Sequence, residues 1–545
     1  MRNIAHKNLI NIKEVSGACI VALFEHKFLL TQLLEAKHWV IIPALSLLHT
    51  RQKMHTIYPS LEQITELPAL EQYKRVAITK EIYSDFITPI EVLRILKNVS
   101  KHIFLLESVE DKKTWGRWSF LGFEPSLEIV CKDWNICIKD LKNITTKQFR
   151  GEPKKAIEDI LENYKSPKFD KHPPFSGGLV GYFAYEYIRY SESHLDFKKP
   201  DSKFHDVDLM LFDTLIAFDN LRQKIVLITN ITLENLTDSY ESGKEKLKTL
   251  ENLLYNGTKA SIKPIKLLTQ MQSDFNEVQY HQMVSKAKQY IFEGDIFQVV
   301  LSNPKRAKAE GSLFDVYRIL RTSNPSPYMF YLCSDSLEIA GASPETLVKL
   351  TDSKLYTYPL AGSRPSGKNE EEDISLAKEL LSDQKELAEH NMLVDLGRND
   401  IGKIAKLGSV KVEKYMDIQR YSHIMHLGST ISGIIDPNRN ALDAIASILP
   451  AGTLSGAPKI RACEIINELE GSERGIYGGA IGYLDFSGNM DTCIGIRLVY
   501  KMGEDICVRS GAGIVIDSDE SKEYQECDNK AQALITALQL AQLMH

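Results

Sequence analysis

The sequence predicts an α+β fold built on antiparallel sheets, and three observations lead there. Segments that read as strands and as helices are interleaved, without the strand-helix-strand regularity of a parallel sheet. Two pairs of neighbouring apolar runs ask to be hairpins. LEIVCK and NICIKD are joined by a tight turn at Lys132 and Asp133, and LMLFDTLIAF and KIVLITNI fold around Asp219 and Asn220. Glycine falls at the bends of the later strand runs, and no internal repeat is visible.

Regular punctuation begins at Met54. Thr88, Pro89 and Glu91 supply an N-cap, a first-turn proline and a capping-box glutamate before VLRILKNV, so a helix starts there. Strands follow at IFLLES (Ile103 to Ser108) and RWSFLGF, and GGLVGYFAYEYIRY (Gly177 to Tyr190) is glycine-rich and then aromatic. A charged helix runs to about Asn256 and stops at Gly257. The polar, proline-containing stretch 257–274 reads as a linker between an N-terminal domain, 54–256, and a C-terminal region, 275–545. Beyond it, VQYHQMVSKAKQYIFEG is a helix ended by Gly294 and IFQVVLS a strand. SLEIAGASPETLVKL, KLYTYPLAG, GGAIGYLDF, CIGIRLVY and ICVRSGAGIVI read as further strands.

At 545 residues, 43% hydrophobic and 25% charged, the chain has the composition of a globular protein large enough for more than one domain. A net charge of -6 gives no basic footprint, so nucleic acid is not expected as a partner. No uninterrupted apolar run reaches the length of a membrane span, so no membrane partner is expected either. Eight cysteines are scattered without a C-x-x-C pair, which points to thiols in a reducing compartment; the expected location is the cytoplasm, with a plastid left open. The first 53 residues lack clear caps and turns. A targeting segment, an extension, and translated upstream sequence before a true start at Met54 are all open, and the reading preferred is an extension irrelevant to the chemistry.

The chemistry gathers around two acidic helices, one in SDQKELAEHNMLVDLGRND and one in SDSDESKEYQECDNKAQAL. Glu386 and Glu389 share one helical face, as do Glu523 and Glu526. Either pair alone is most simply a solvated surface. Between and after them, however, lie PLAGSRPSG, RYSHIMH, LPAGTLSGAPKIRA and SGAGIVIDSD, a density of small residues beside single charged ones that packing does not require. If the pairs face each other, like charges about 4 Å apart repel by roughly 4 kcal/mol, so the cluster either holds protons or binds a cation. All-oxygen ligands suit magnesium better than zinc.

Taken together, PLAGSR, ELAEHNMLVDLGRND, RYSHIMH, PAGTLSGAPK, GNMDTCIGIR, GAGIV and EYQE resemble the chorismate-utilising enzymes, and most of all the anthranilate synthase component I family, from about Ser84 to the C-terminus. The resemblance implies two packed antiparallel sheets surrounded by helices, with the site in a cleft between them. It also implies a magnesium-dependent lyase at the first step of tryptophan biosynthesis, which converts chorismate and ammonia to anthranilate and pyruvate. By that resemblance Glu389 and Glu526 are the direct metal ligands, with Glu386 and Glu523 in support, and the metal holds the ring carboxylate. Tyr477, Arg497, Gly511, Ala512 and Gly513 match the residues that hold the other carboxylate, and Gly362 and Ser363 match the turn beneath the ring. The residue types agree: arginine offers a planar fork, and a glycine-flanked backbone approaches an anion with its N–H groups. Lys530 serves either as counter-ion to the metal site or as another carboxylate contact.

Glu345 matches the family's acid for the departing hydroxyl, and His426 the group that manages protons during pyruvate elimination. Spacing alone does not choose between His426 and His423. His426 and Thr453 favour full turnover over a runner-up reading, an aminodeoxyisochorismate synthase that stops before pyruvate leaves. Intact Glu389, Glu526, His426 and Arg497 argue against a non-catalytic regulatory subunit. Relatives that attack the ring covalently or with hydroxide carry a lysine where this chain has Ala361 or Gln298, so ammonia is left as nucleophile. A glutamine amidotransferase subunit, anthranilate synthase component II, is the implied ammonia source. LLES and NPSPYMFY match the segments of a tryptophan feedback site, with Ser108, Pro327, Tyr328 and Met329 the candidate effector residues.

Overall fold

Strands that are apolar on both faces decide the layering. The computed structural model describes residues 56–108, 116–195, 197, 204–420 and 424–544, so the expectations for residues 1–53 and for His423 fall outside the described residues. Side chains alternate along a strand with a period of two. In Arg75–Tyr83, Val76 and Ile78 join one core and Ala77 another; in Ile103–Glu107, Ile103 and Leu105 oppose Phe104; in Ala480–Asp485, Ala480 and Leu484 oppose Ile481 and Tyr483. A strand of this kind has to lie between two apolar layers.

Two sheets satisfy that demand, and every strand pair in them is antiparallel. The first runs Arg75–Tyr83, Lys224–Thr232, Thr214–Asp219, Trp118–Phe123, Ile103–Glu107, Tyr328–Cys333, Leu337–Ser343, Leu498–Met502, Asp505–Ile514, Gln298–Glu310 and Lys266–Leu267. Gln272–Ser273 and Gly456–Ala457 also pair with Gln298–Glu310. The second runs Leu360–Pro365, Ile424–Ile434, Lys354–Thr357, Thr346–Thr351, Met490–Ile494, Ala480–Asp485, Gly178–Phe183, Val207–Phe212, Leu127–Lys132, Asn135–Asp140 and Thr145–Arg150, with Lys411–Arg420 on Ile424–Ile434. Phe104, Phe212, Phe330, Ile339, Ile481 and Leu498 fill the layer between them. Helices Pro89–Val99, Leu236–Asn256, Phe314–Ser323 and Glu520–Gln542 cover the outer face of the first sheet; Pro153–Glu162, Gln384–Gly402 and Ala441–Ile448 cover that of the second. The expected class, an α+β fold of two packed antiparallel sheets surrounded by helices, is the one observed.

Several details differ from expectation. LMLFDTLIAF is two strands in different sheets, Val207–Phe212 and Thr214–Asp219, and only the second forms the hairpin with Lys224–Thr232. The break falls at Asp213, whose carboxylate accepts from Lys142 and Lys246. The hairpin Leu127–Lys132 with Asn135–Asp140 turns at Asp133 and Trp134, both at positive φ, one residue later than expected. The N-cap at Thr88 is present, but the Glu91 carboxylate faces Arg94 and Lys259 instead of closing a capping box. Within 257–274 lie the two short strands on Gln298–Glu310, and residues on both sides of that stretch share both sheets within one compact unit, 57–545. Among the described residues no helix is long and apolar enough to cross a membrane, and the seven described cysteines are free thiols.

A candidate active site where strands change sheets

Two breaks where the chain passes from one sheet to the other lie side by side. Leu337–Ser343 belongs to the first sheet and Thr346–Thr351 to the second; Met490–Ile494 belongs to the second and Leu498–Met502 to the first. Three hydrogen bonds stitch the breaks together: Ile494 N donates to Glu345 O at 3.0 Å, Ala342 N to Arg497 O at 3.1 Å, and Ser343 Oγ to Ile494 O at 2.7 Å. Inside a ladder, a side chain between the sheets must suit an apolar layer. In a break that alternation is suspended, and each of these two breaks carries a charged residue, Glu345 and Arg497. Gly495 is required here, since a Cβ would meet Ile476 O at 2.2 Å. Arg497 itself is held at φ 49, a conformation unusual outside glycine and common at functional sites.

The electrostatics follow from that placement. Burial pushes the Glu345 carboxyl up to about 7, although the Thr453 hydroxyl, Arg497 and Lys530 all favour its ionised form. Thr453 Oγ1 donates to Glu345 Oε1 at 3.0 Å. Burial pulls Arg497 below the usual guanidinium range and Glu345 opposes the change. No hydrogen bond or ion pair holds that guanidinium among the described residues, so it is a desolvated cation fit for an anion. A small cavity of about 40 Å³ is lined by Glu345 and Thr453 together with Leu393, Leu396 and Ile448.

His426 lies on Ile424–Ile434, paired in register with Ser363 of Leu360–Pro365. The pairing slips between Ala361 and Ser363, where Gly362 bulges at φ 62. A Cβ on Gly362 would stand 2.9 Å from Glu386 Oε2 and 3.0 Å from Leu380, so this glycine fits closely against the first acidic helix. The bulge turns Gly362 C=O toward His426 Nδ1, 2.9 Å away. A carbonyl only accepts, so Nδ1 carries the proton and Nε2 is the basic nitrogen of the neutral ring. Burial keeps His426 below the usual imidazole range, opposed by the Gly362 carbonyl and helped by Arg497.

The two acidic helices approach each other over this site. Asp383 caps Gln384–Gly402, accepting from Lys385 N and Glu386 N, and Asp519 caps Glu520–Gln542, accepting from Lys522 N. Burial raises Glu386, and so do Glu389 and Asp383, against Arg364 and Lys385. Burial and Glu526 likewise raise Glu523, against the Ser518 hydrogen bond, Lys530 and Lys385 of the opposite helix. Lys530 Nζ sits 2.7 Å from Glu526 Oε1 and donates to Gly511 O at 3.1 Å, so it serves the carboxylates and the glycine strand together. Carboxylates that repel each other in this way are the right donor set for a hard divalent cation. As they stand, no three acidic, histidine or cysteine side chains among the described residues form a closed metal cluster.

Gly511, Ala512 and Gly513 lie on Asp505–Ile514, paired with Ser302, Leu301 and Val300. Side chains would not fit at either glycine: a Cβ would stand 2.9 Å from the Tyr477 hydroxyl at Gly511, and 2.8 Å from Gln298 Nε2 at Gly513. Tyr477 is fixed by a turn from Arg474, and Arg474 and Arg509 share the buried Glu470. Burial pushes Glu470 up, but the two guanidiniums win and hold it below the usual range.

A second pocket, about 390 Å³, lies elsewhere between the sheets. Ser108, Pro327, Tyr328 and Met329 line it together, with Trp118, Phe120 and Tyr483 as aromatic walls and Glu107, Asp491, Arg117 and Lys349 as charged ones. Glu107 is buried and accepts from Arg321 and Tyr317. Sequence reasoning passed over Arg364, Glu107 and Arg321. Arg364 and Glu107 had a signal, their places in PLAGSR and LLES, and Arg321 had none; Arg364 donates to Glu379 and Asp383 and stands 3.9 Å from Glu386.

Two packed antiparallel sheets surrounded by helices define a class. The chain belongs to the chorismate binding enzyme family, whose model matches residues 109–536. Within that family it is similar to anthranilate synthase component 1 of Acetivibrio thermocellus, 42% identical over 499 residues that cover 89% of this chain and 99% of the relative. Anthranilate synthase component 1 of Aquifex aeolicus is 41% identical over 493 residues, with 89% and 98% covered. Among solved structures, anthranilate synthase component I from Streptococcus pneumoniae superposes with a TM-score of 0.68 at 34% identity, covering 83% of this chain and 98% of that one. The menaquinone-specific isochorismate synthase of Escherichia coli shares the fold, with a TM-score of 0.63 at 18% identity and 88% and 98% covered.

Proposed function

We propose that this chain is the large subunit of an anthranilate synthase: chorismate and ammonia enter, and anthranilate, pyruvate and water leave. The observation that carries the reading is Arg497 in electrostatic reach of both Glu345 and His426, with Lys530 joining Glu345 to the carboxylate pair of the second acidic helix. Arg497 and Tyr477 hold one carboxylate of chorismate with the backbone of Gly511, Ala512 and Gly513, while Gly362 and Ser363 support the ring. Ammonia forms the new C–N bond as the ring hydroxyl departs with the proton of Glu345, an acid half-protonated near neutral pH. Nε2 of neutral His426 then manages the ring proton as the bond to the enolpyruvyl oxygen breaks and the ring becomes aromatic. Glu389 and Glu526 would hold magnesium directly, with Glu386 and Glu523 in support, and the ion supplies positive charge for the ring carboxylate. Ammonia comes from glutamine through a separate amidotransferase subunit.

The full chain, given chorismate, magnesium and excess ammonium salt at mildly alkaline pH, is expected to release anthranilate and pyruvate in equal amounts, both lost with EDTA. Loss of chorismate without pyruvate would identify the aminating enzyme that stops at aminodeoxyisochorismate.

Tryptophan occupies the 390 Å³ pocket as feedback inhibitor. What supports this is a size in the range of small-ligand sites, three aromatic walls, and carboxylates and cations for the ammonium and carboxylate of an amino acid. Ser108→Leu, which fills the pocket, is expected to abolish inhibition by tryptophan; unchanged inhibition sinks this assignment.

A further inference from the structure

The motif pair RND and APK carries a buried contact that the mechanism above does not use. Lys459, at the start of Lys459–Glu470, donates from Nζ to Asp400 Oδ2 at 2.8 Å and to Ile448 O at 2.8 Å. The pair is nearly closed to solvent, at 10% and 5% side-chain exposure. Ile448 ends the helix Ala441–Ile448, eleven residues before Lys459, so a single ammonium joins the two ends of the intervening loop. Asp400 anchors that junction to Gln384–Gly402, and its carbonyl accepts from Ser447 Oγ at 2.9 Å. At the tip of the loop, Thr453 meets Glu345. There is no slack: a Cβ on Gly452 would fall 1.8 Å from Leu396, and Ser455 O accepts from Val300 N at 2.9 Å.

The geometry points to Asp400 and Lys459 as positioning residues, a clasp at the base of the loop that holds the Thr453 hydroxyl on Glu345. The inference rests on the reading of Glu345 as the acid, and it concerns what sets that acid's strength. A hydroxyl donating to a carboxylate favours the ionised form, so a loop that drifts leaves Glu345 a weaker acid. The other charges acting on Glu345 are Arg497 and Lys530, neither of which the loop carries, and Asp400 itself lines the same cavity.

The Glu345 titration is read directly, in substrate-free full-length protein, as the carboxyl infrared difference between each variant and its Glu345→Gln counterpart. Thr453→Val sets the reference, an upward move of the midpoint. Asp400→Asn/Lys459→Met removes both charges of the pair, so their fields on Glu345 largely cancel; the clasp predicts the same rise as Thr453→Val, and no further rise when the three changes are combined. Asp400→Asn alone is the milder variant, and its sign decides: losing a nearby anion lowers the midpoint by field alone, whereas losing the clasp raises it. A rise supports the clasp; a fall or no change in Asp400→Asn, or in the double variant, overturns it. Failure of the underlying reading looks different, as Glu345→Gln turning over chorismate at the parent rate.

Discussion

Charge is held in two different ways in this molecule, and the candidate site uses both. At the sheet-changing breaks, Glu345 and Arg497 are fixed by backbone: three hydrogen bonds join the segments, a glycine is forced, and an arginine sits in left-handed conformation. On the acidic helices the backbone is ordinary and capped, and the glutamates lie i and i+3, with Glu386, Glu389 and Glu523 half-buried and Glu526 exposed. Their neighbours repel them, and the opposing cations are single lysines and an arginine. Fixed backbone gives a group one position and one proton affinity. Repelling carboxylates on helices favour a bound counter-ion, so on the proposed reading the first region sets chemistry and the second sets occupancy.

That contrast breaks first, and most severely, under chelation. Removing divalent cations is expected to abolish turnover and to lower the melting temperature, and Glu526→Gln to do the same without chelator; turnover in EDTA would erase the distinction. Next in size, Glu345→Gln should lower kcat by roughly 10²- to 10⁴-fold while leaving the magnesium-induced rise in melting temperature intact. A loss of that rise would mean the two regions are not separable. Arg497→Lys keeps the charge but not the fork, and should raise KM for chorismate about 10-fold or more with a smaller change in kcat.

The smallest effect concerns stability against pH. Glu345 binds its proton more tightly folded than unfolded, so its contribution is present below the ordinary value of 4.5 and is lost as pH rises through about 7. Glu345→Gln should therefore melt above the parent at pH 8 and level with it near pH 4.5, by no more than about 3 kcal/mol. On the proposed roles, the same titration is expected to set the alkaline limb of kcat, since the acid must be protonated, and depressed His426 to set the acid limb below the usual imidazole range.

Which parts were legible in the sequence follows from the range of the interactions. The helix start at Thr88 was, because its hydroxyl acts on backbone three residues away. The glutamate pairs were, because i and i+3 share a face. The sheet changes at 212–214 and 494–498 were not: LMLFDTLIAF and CIGIRLVY are apolar on both faces, and such a run has no periodicity to reveal a break. Only Asp213 and Arg497 interrupt them. The proton affinity of Glu345 was also hidden, because its burial comes from segments near 345, 453 and 497 that meet only in the folded chain.

The topology of the second sheet has a consequence for how the chain is made. The strands Gly178–Phe183, Val207–Phe212 and Leu127–Lys132 join the rest of that sheet through Ala480–Asp485, which is synthesised some three hundred residues after Gly178. Until that segment leaves the ribosome, the early strands present an unpaired, apolar edge, an open template for other chains. A message truncated anywhere between the codons for Asp219 and Ala480 should yield insoluble fragments, however intact the early strands, and the nascent chain should spend much of its synthesis needing protection by chaperones.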